Sequence, residues 1–339
     1  MKKTLITGIS GQDAAYLSEL LIKEGHHVVG GLRRGAERSL WRLNNLGIKD
    51  DVEVIDFELT ELSEIHSILN KYDFDYVYNL AAMSFVGTSF TQPISTANTN
   101  YLGALNILES IKVTGKDTKF YQASTSEMFG KVLEMPQTEL TPFYPRSPYG
   151  VAKLAAHWAT INYRESFSIH ACSGILFNHE SPLRGSEFVT QKIVLGLNDI
   201  KNKRKEKIYL GNIDAKRDWG HAKDYVNAMK LIIESKTPSD YVVATGELKS
   251  VRDFIDVASA YFDMNIEWTG NGSDEKGIDS KTGNTVIEIS KEFYRPAEVD
   301  VLLGNPIKAE SELGWRRNYS FDSLVEDMCL NAESFGKQL

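Results

Sequence analysis

The chain holds 339 residues, enough for two domains or for one large α/β body with an added lobe. Apolar residues at 42% and charged residues at 25% exclude wholesale disorder, and 38 basic against 46 acidic residues, net −8, argue against a general nucleic-acid binder. Two cysteines, Cys172 and Cys329, cannot build a disulfide framework; with no apolar run of the ~18 residues a membrane span needs and no signal-peptide core after Met1-Lys2-Lys3, a soluble cytoplasmic protein with two free buried thiols is expected.

Residues 4–7 read as a short buried strand, and residues 13–24 place Ala14, Leu17, Leu20 and Leu21 at helical spacing before Gly25 stops the helix. Between them lies Gly8-Ile9-Ser10-Gly11-Gln12-Asp13-Ala14, a GxxGxxA turn from strand to helix. Early glycines let backbone N–H groups approach a pyrophosphate, and the helix N-terminus adds its positive dipole end. At the start of a βαβ unit the motif points to a dinucleotide; a purely structural turn is the bland alternative. A second strand, residues 27–32, ends Gly30-Gly31-Leu32-Arg33-Arg34. An NAD site usually carries an acidic residue there for the ribose 2′-hydroxyl, whereas two guanidinium groups suit a 2′-phosphate, so the dinucleotide is expected to be NADP. Read blandly, the two arginines are a solvated surface pair.

Further strands are expected at 52–57, 76–80 and 119–123, with helical segments between them. That alternation implies a parallel sheet with helices on both faces. Glu58, after the third strand, is placed to accept from an adenine amino group, and the small residues of Leu80-Ala81-Ala82 let a cofactor lie close to the backbone. At a later strand end stands Ala123-Ser124-Thr125-Ser126-Glu127. Tyr149 and Lys153 follow as a YxxxK pair on one helix face. A free tyrosine is a poor base at neutral pH, and an ammonium one turn away beside a positive ring favours the phenolate. Glu127 adds a proton-transfer group that a plain ketoreductase does not need; its bland reading is a surface turn cap. No metal site is expected. After about residue 180 the pattern becomes irregular. Residues 201–207 (KNKRKEK) read as a solvated helix end before a strand at Ile208, and residues 271–284, rich in Gly, Ser, Asp and Lys, as a surface loop.

Longer strings narrow the reading: YQASTSE at 121–127, TPFYPRSPYG at 141–150, GILFNHESP at 174–182, DAKRDWG at 214–220 and YRPAEVD at 294–300. Over residues 4 to about 328 they resemble the GDP-mannose 4,6-dehydratase branch of the extended short-chain dehydrogenase/reductase family that acts on nucleotide sugars. The resemblance implies a Rossmann-type doubly wound parallel sheet (1–180) with a smaller C-terminal lobe (181–339) binding the GDP-sugar, some segments of which return to the sheet. It implies catalysis by Thr125, Glu127, Tyr149 and Lys153. NADP would be held by Gly8, Ile9, Ser10, Gly11, Gln12, Asp13, Arg33, Arg34, Glu58, Leu59, Leu80, Ala81, Ala82, Ser84, Tyr149, Lys153, His179 and Arg184. GDP-mannose would be held by Ser84, Asn178, Val189, Lys192, Arg217, Arg295 and Glu298; a diphosphate needs cations, and guanine needs a carboxylate for its N1 and N2 hydrogens.

Four departures from the family pattern cover five positions: Met83 stands for a usual Gln, Phe57-Glu58 for Gly-Asp, Gln191 for a basic residue and Ser95 for Tyr. They bear on cofactor affinity rather than on Thr125, Glu127, Tyr149 or Lys153. The implied activity is a hydro-lyase of deoxysugar biosynthesis, converting GDP-mannose to GDP-4-keto-6-deoxymannose. Another nucleotide-sugar epimerase or reductase, or a non-catalytic NADP-binding sensor, remains the alternative. A homo-oligomer, dimer or tetramer, is implied too, with residues 34–40 reaching a neighbouring subunit's cofactor.

Overall fold

The computed structural model describes residues 1–36, 40–293 and 301–335. Short apolar runs form β1 (Lys3–Thr7), β2 (His27–Leu32), β3 (Val52–Asp56), β4 (Tyr76–Asn79), β5 (Lys119–Thr125) and β6 (Ala171–Leu176). The chain then makes β7 (Asn178–Glu180), β8 (Ile208–Leu210), β9 (Lys216–Arg217) and β10 (Trp219–His221) before β11 (Asp240–Val243) returns to the first sheet beside β6. The seven-stranded sheet has the order β11-β6-β5-β4-β1-β2-β3, every neighbouring pair parallel.

Helices connect the strands: α1 (Gln12–Lys23), α2 (Trp41–Asn45), α3 (Leu62–Lys71), α4 (Val86–Thr91), α5 (Pro93–Ala97), α6 (Gly103–Thr114) and α7 (Pro148–Phe167), then α8 (Val189–Lys201) and α9 (Ala222–Glu234). Successive strand residues serve opposite faces. Ile6, Val28, Tyr78 and Tyr121 pack with Leu17 of α1 and Met229 of α9, while Leu5, Val29, Val77 and Phe120 pack with Ile65 of α3 and Ile107 of α6. Both faces are covered, so the strands are apolar almost throughout.

A separate core lies in the later part of the chain. Ile193 and Leu197 of α8, Phe254 and Ile255 of α10 (Val251–Tyr261), and Leu324 and Met328 of α12 (Phe321–Leu330) surround Trp219 and Ile208. Ala309, from α11 (Ile307–Leu313), and Trp315 instead join the core of the main sheet. The second core carries a sheet ordered β13-β14-β15-β8, with β13 (Ile266–Thr269), β14 (Lys276–Asp279) and β15 (Asn284–Ile289). The surface loop expected at 271–284 is therefore partly wrong. It contains β14, an inner strand, because Gly277 sits where a Cβ would meet Ile266 and Ile287 at 3.0 and 3.1 Å, so the glycine marks close strand packing rather than a loop. Two short sheets complete the fold: β9 between β12 (Lys249–Ser250) and β16 (Val301–Leu302), and the β7–β10 pair. The basic run at 201–207 does close α8 as an exposed segment ahead of β8.

Cys172 and Cys329 are free and buried. Among the described residues no helix is long and apolar enough to cross a membrane, and no group of three His, Cys, Asp or Glu is arranged to hold a metal ion.

Candidate active site

The chain starts in the middle of the sheet at β1, runs outward through β2 and β3, and crosses back to β4 on the other side of β1. At such a switch point the strand ends diverge and leave a crevice. A cleft of about 820 Å³ opens there, lined by Gly8 and Gly11 after β1, Gly31 to Arg33 at the end of β2, Phe57 to Thr60 after β3 and Leu80 to Ser84 after β4. Met83, Glu58, Phe57 and Ser95, four of the residues that depart from the family pattern, all face it.

Close backbone approach shapes this cleft. Gly8 has φ +69°, and a Cβ on it would come within 2.7 Å of the Ala81 Cα. The Thr7 hydroxyl fixes the opposite wall, accepting from the Leu80 and Ala81 N–H groups at 3.1 and 3.0 Å and donating to Asn79 Oδ1 at 2.9 Å. Asn100 accepts from the Met83 N–H at 2.8 Å. The first N–H groups of α1 have no intrahelical carbonyl, so this end of the cleft is a ready anion site.

The expected cofactor residues do not all sit in the same way. Gly8, Ser10, Gly11, Arg33, Glu58, Leu59, Leu80, Ala81, Ala82 and Ser84 line the cleft. Ile9 gives the loop only its backbone, since its side chain is fully buried and fills the space that Gly30 leaves open. Arg34 is an exposed arginine paired with Asp56 at 3.1 Å, outside the lining. Gln12, which is buried, and the partly buried Asp13, His179 and Arg184 form a polar seam behind the loop. Asp13 pairs with His179 at 2.8 Å, and Arg184 pairs with Glu180 at 3.0 Å and lies 3.5 Å over the Phe188 ring.

The end of β5, the turn after it and the start of α7 carry the four residues expected to be catalytic. β5 runs to Thr125, two residues beyond the expected end at Ala123. The Thr125 hydroxyl accepts from the Glu127 N–H at 3.2 Å and so caps the turn that presents Glu127. Helix α7 starts with Ser147 as N-cap, accepting from the Gly150 N–H at 3.0 Å, and Pro148 in its first turn. Two buried contacts dock α7 on β5: Lys153 Nζ donates to the Ala123 carbonyl at 2.9 Å, and His157 Nδ1 meets the Ser124 hydroxyl at 3.0 Å. The Tyr149 ring centroid lies 6.0 Å from Lys153 Nζ.

Burial dominates the electrostatics. It pushes the Tyr149 phenol up to about 12, against a lowering hydrogen bond from Thr125, and the Glu127 charge raises it further. Burial also lowers the Lys153 ammonium to about 8. Burial thus opposes the phenolate in the cofactor-free protein. The positive ring that the sequence reading set beside Tyr149 would act in the opposite direction.

Of the residues expected to hold a nucleotide sugar, Ser84 lines the cleft, whereas Val189, Lys192 and Arg217 come from the later part of the chain. Val189 opens α8, Lys192 follows one turn on with its Nζ 3.4 Å over the Phe293 ring, and burial lowers the Lys192 ammonium. Arg217 is buried in β9, and its neighbour Asp218 accepts from Thr245 and Gly246 N–H groups at 2.7 and 2.9 Å. Asn178 sits in β7, paired with Trp219 of β10. Arg295 and Glu298 lie outside the described residues. Sequence reasoning missed Thr7, Asn100 and Arg42. Thr7 directly precedes the glycine loop at a strand end, which is a usable signal; Arg42 sits in a short helix with no pattern to betray it.

A model of the family described as GDP-mannose 4,6 dehydratase matches residues 5–328. A GDP-mannose 4,6 dehydratase of Dictyostelium discoideum is 47% identical over 336 residues, covering 96% of this chain and 94% of that protein. Among solved structures, RMD from Pseudomonas aeruginosa complexed with NADPH superposes with a TM-score of 0.77 at 19% identity, covering 98% of this chain and 100% of that one. The dTDP-glucose 4,6-dehydratase of Bacillus anthracis in complex with NAD gives a TM-score of 0.82 at 18% identity, covering 100% and 98%. The two structures speak to the fold.

Proposed function

The chain belongs to the GDP-mannose 4,6-dehydratase family, and from that premise we propose that it converts GDP-mannose to GDP-4-keto-6-deoxymannose with NADP as resident cofactor. The observation that carries the reading is the meeting of Thr125, Glu127, Tyr149 and Lys153 at the end of β5, beside the cleft of the glycine loop. The cleft fits a dinucleotide: Gly8 and Gly11 bring bare backbone to its wall, the first turn of α1 begins there with N–H groups that have no intrahelical carbonyl, and Arg33, an exposed arginine, lines it where a 2′-phosphate needs a cation. A nicotinamide held there would accept hydride from sugar C4 and later return it to C6.

Tyr149 takes the proton of the C4 hydroxyl, with Thr125 hydrogen-bonded to the phenol and Lys153 held one turn away. Once C4 is a ketone, C5–H is acidic. Glu127 removes that proton and passes it to the departing C6 hydroxyl, which leaves as water; the proton that Tyr149 took from the C4 hydroxyl then returns to C5, directly or through Glu127, as hydride reaches C6. The cycle has no net redox change, so the cofactor stays bound between turnovers. Lys192, Arg217 and Asn178 are assigned to the GDP-sugar, together with Ser84, Val189, Arg295 and Glu298.

We divide the chain near residue 180 into a cofactor part and a sugar part, with β11 and α9 returning to the first. Exposed apolar side chains on α5 and α7, among them Ile94, Val151 and Trp158, support a homo-oligomer. The two free buried thiols fit the reducing cytoplasm. Incubation with GDP-mannose, without added NADPH, should yield a nucleotide sugar lighter by one water. A product of unchanged mass would favour an epimerase, and no product at all a cofactor-binding sensor.

A further inference from the structure

Three links tie the glycine loop to the segment that follows β6. The Arg42 guanidinium donates to the Ser10 carbonyl at 2.8 Å and the Leu183 carbonyl at 2.7 Å. The Gln12 amide donates to the His179 carbonyl at 3.2 Å and accepts from the Ser181 hydroxyl at 2.7 Å. The Asp13 carboxylate meets His179 Nε2 at 2.8 Å. The third link differs in kind. His179 Nδ1 stands 2.7 Å from the Phe177 carbonyl oxygen, which can only accept, and Nε2 faces an ionised carboxylate, which can only accept. Both ring nitrogens need a hydrogen, and a neutral imidazole has only one.

We infer that His179 is a standing imidazolium that neutralises Asp13 and locks the first turn of α1 against β7, and so acts on the cofactor site as a positioning residue. This rests on the reading that the α1 N-terminus receives a pyrophosphate. A bare carboxylate in that first turn would compete with the diphosphate for the helix's positive end and repel it. Paired with an imidazolium, Asp13 adds no net charge, and the helix end stays available. Because β7 also carries Asn178 and pairs with β10, the same lock sets the spacing between the pyrophosphate end and the sugar side.

The surroundings agree with this assignment. The ionisable groups that face the His179 ring are Asp13 from α1, Arg184 from the loop after β7, and Tyr225 from α9, whose ring stacks on it at 4.5 Å. Burial and Arg184 oppose charge on His179, but the charge and hydrogen bond of Asp13 outweigh them and hold the imidazole above its ordinary value. Burial likewise opposes charge on Asp13, yet His179 holds that carboxyl below its usual range. The charged pair is therefore intact through neutral pH. It is lost when pH rises through the raised His179 value or falls through the lowered Asp13 value.

The test uses the full chain with ¹⁵N-labelled histidine. Of the seven histidines, the signal that disappears in His179→Gln belongs to His179. It should show both ring nitrogens protonated at pH 7.5, without any ligand. NADPH affinity, read by fluorescence on variants checked by circular dichroism, should fall about tenfold or more in His179→Gln. Much of that loss should return in the Asp13→Asn/His179→Gln double variant, where neither partner is charged, and the double variant should lose the wild type's fall in affinity as pH rises. A neutral His179 ring at pH 7.5, or a folded His179→Gln that binds NADPH as tightly as wild type, overturns the inference. Failure of wild type to bind NADPH would strike the cofactor reading instead, because the nitrogen signal is read without ligand.

Discussion

The Glu127 carbonyl oxygen lies 2.8 Å from the point where a Cβ on residue 150 would stand, so Gly150 lets the turn carrying Glu127 press against the first turn of α7. Tyr149 is the adjacent residue in that helix turn. The acid–base pair is thus set by a backbone contact that tolerates no side chain at 150.

Gly150→Ala should force the two apart by a fraction of an ångström to an ångström. Misplacement of that size costs up to about 10²-fold in rate. We expect kcat to fall by about that factor with KM for GDP-mannose changed far less, as measured by steady-state kinetics on a variant whose far-ultraviolet circular dichroism matches wild type.

Arg33 and Arg34 look equivalent in the sequence but not in the fold. Arg33 lines the cleft, whereas Arg34 is spent on Asp56 at the surface. Arg33→Ala should weaken NADP by about tenfold or more relative to NAD, the scale of a lost charge-assisted bond. Arg34→Ala should leave the ratio within about twofold, as expected for an exposed ion pair. Titrations of both cofactors by fluorescence quenching distinguish the two.

These cases mark what the sequence made legible. The alternation of apolar runs with helical spacing placed five of the seven parallel strands to within two residues, because burial on both faces forces continuous apolar strands. The GxxGxxA turn and the YxxxK pair located the cleft and the proton-transfer helix. What stayed hidden depends on partners far along the chain. Arg34 finds Asp56, Arg42 reaches both Ser10 and Leu183, and His179 finds Asp13 across 166 positions. Residues 271–284 misled for a related reason: a glycine chosen for close packing against Ile266 and Ile287 has the same letter as one in a loop.

Lys153 carries a measurable pH signature. Its ammonium falls from 10.5 to about 8 on burial, so the folded state binds fewer protons than the unfolded state between those values. Stability then rises with pH across that window. In the ligand-free protein the unfolding free energy of wild type relative to Lys153→Met should move in wild type's favour by roughly 3 kcal/mol between pH 7.5 and 10.5. Urea unfolding at the two pH values measures it; a constant difference would mean that Lys153 is solvated.

Lys192 sits over the Phe293 ring and is the cation we assign to the diphosphate of the substrate. A cation that grips a diphosphate acts alike on ground and transition states. Lys192→Ala should raise KM for GDP-mannose by about tenfold with kcat within about twofold. The opposite split in initial-rate kinetics would move Lys192 into the chemical step.

The central claim is that Glu127 is the base that turns an oxidation into a dehydration, and a single-turnover trace of Glu127→Gln with GDP-mannose tests it most directly. The substitution keeps shape and hydrogen bonding but cannot take a proton from C5, and loss of a general base costs on the order of 10²–10⁴-fold. The account predicts turnover reduced by that range, GDP-mannose still bound, and an NADPH absorbance that builds up and persists because oxidation at C4 needs only Tyr149, Lys153 and Thr125. Near-normal turnover of Glu127→Gln, with solvent deuterium still entering C5, would contradict it.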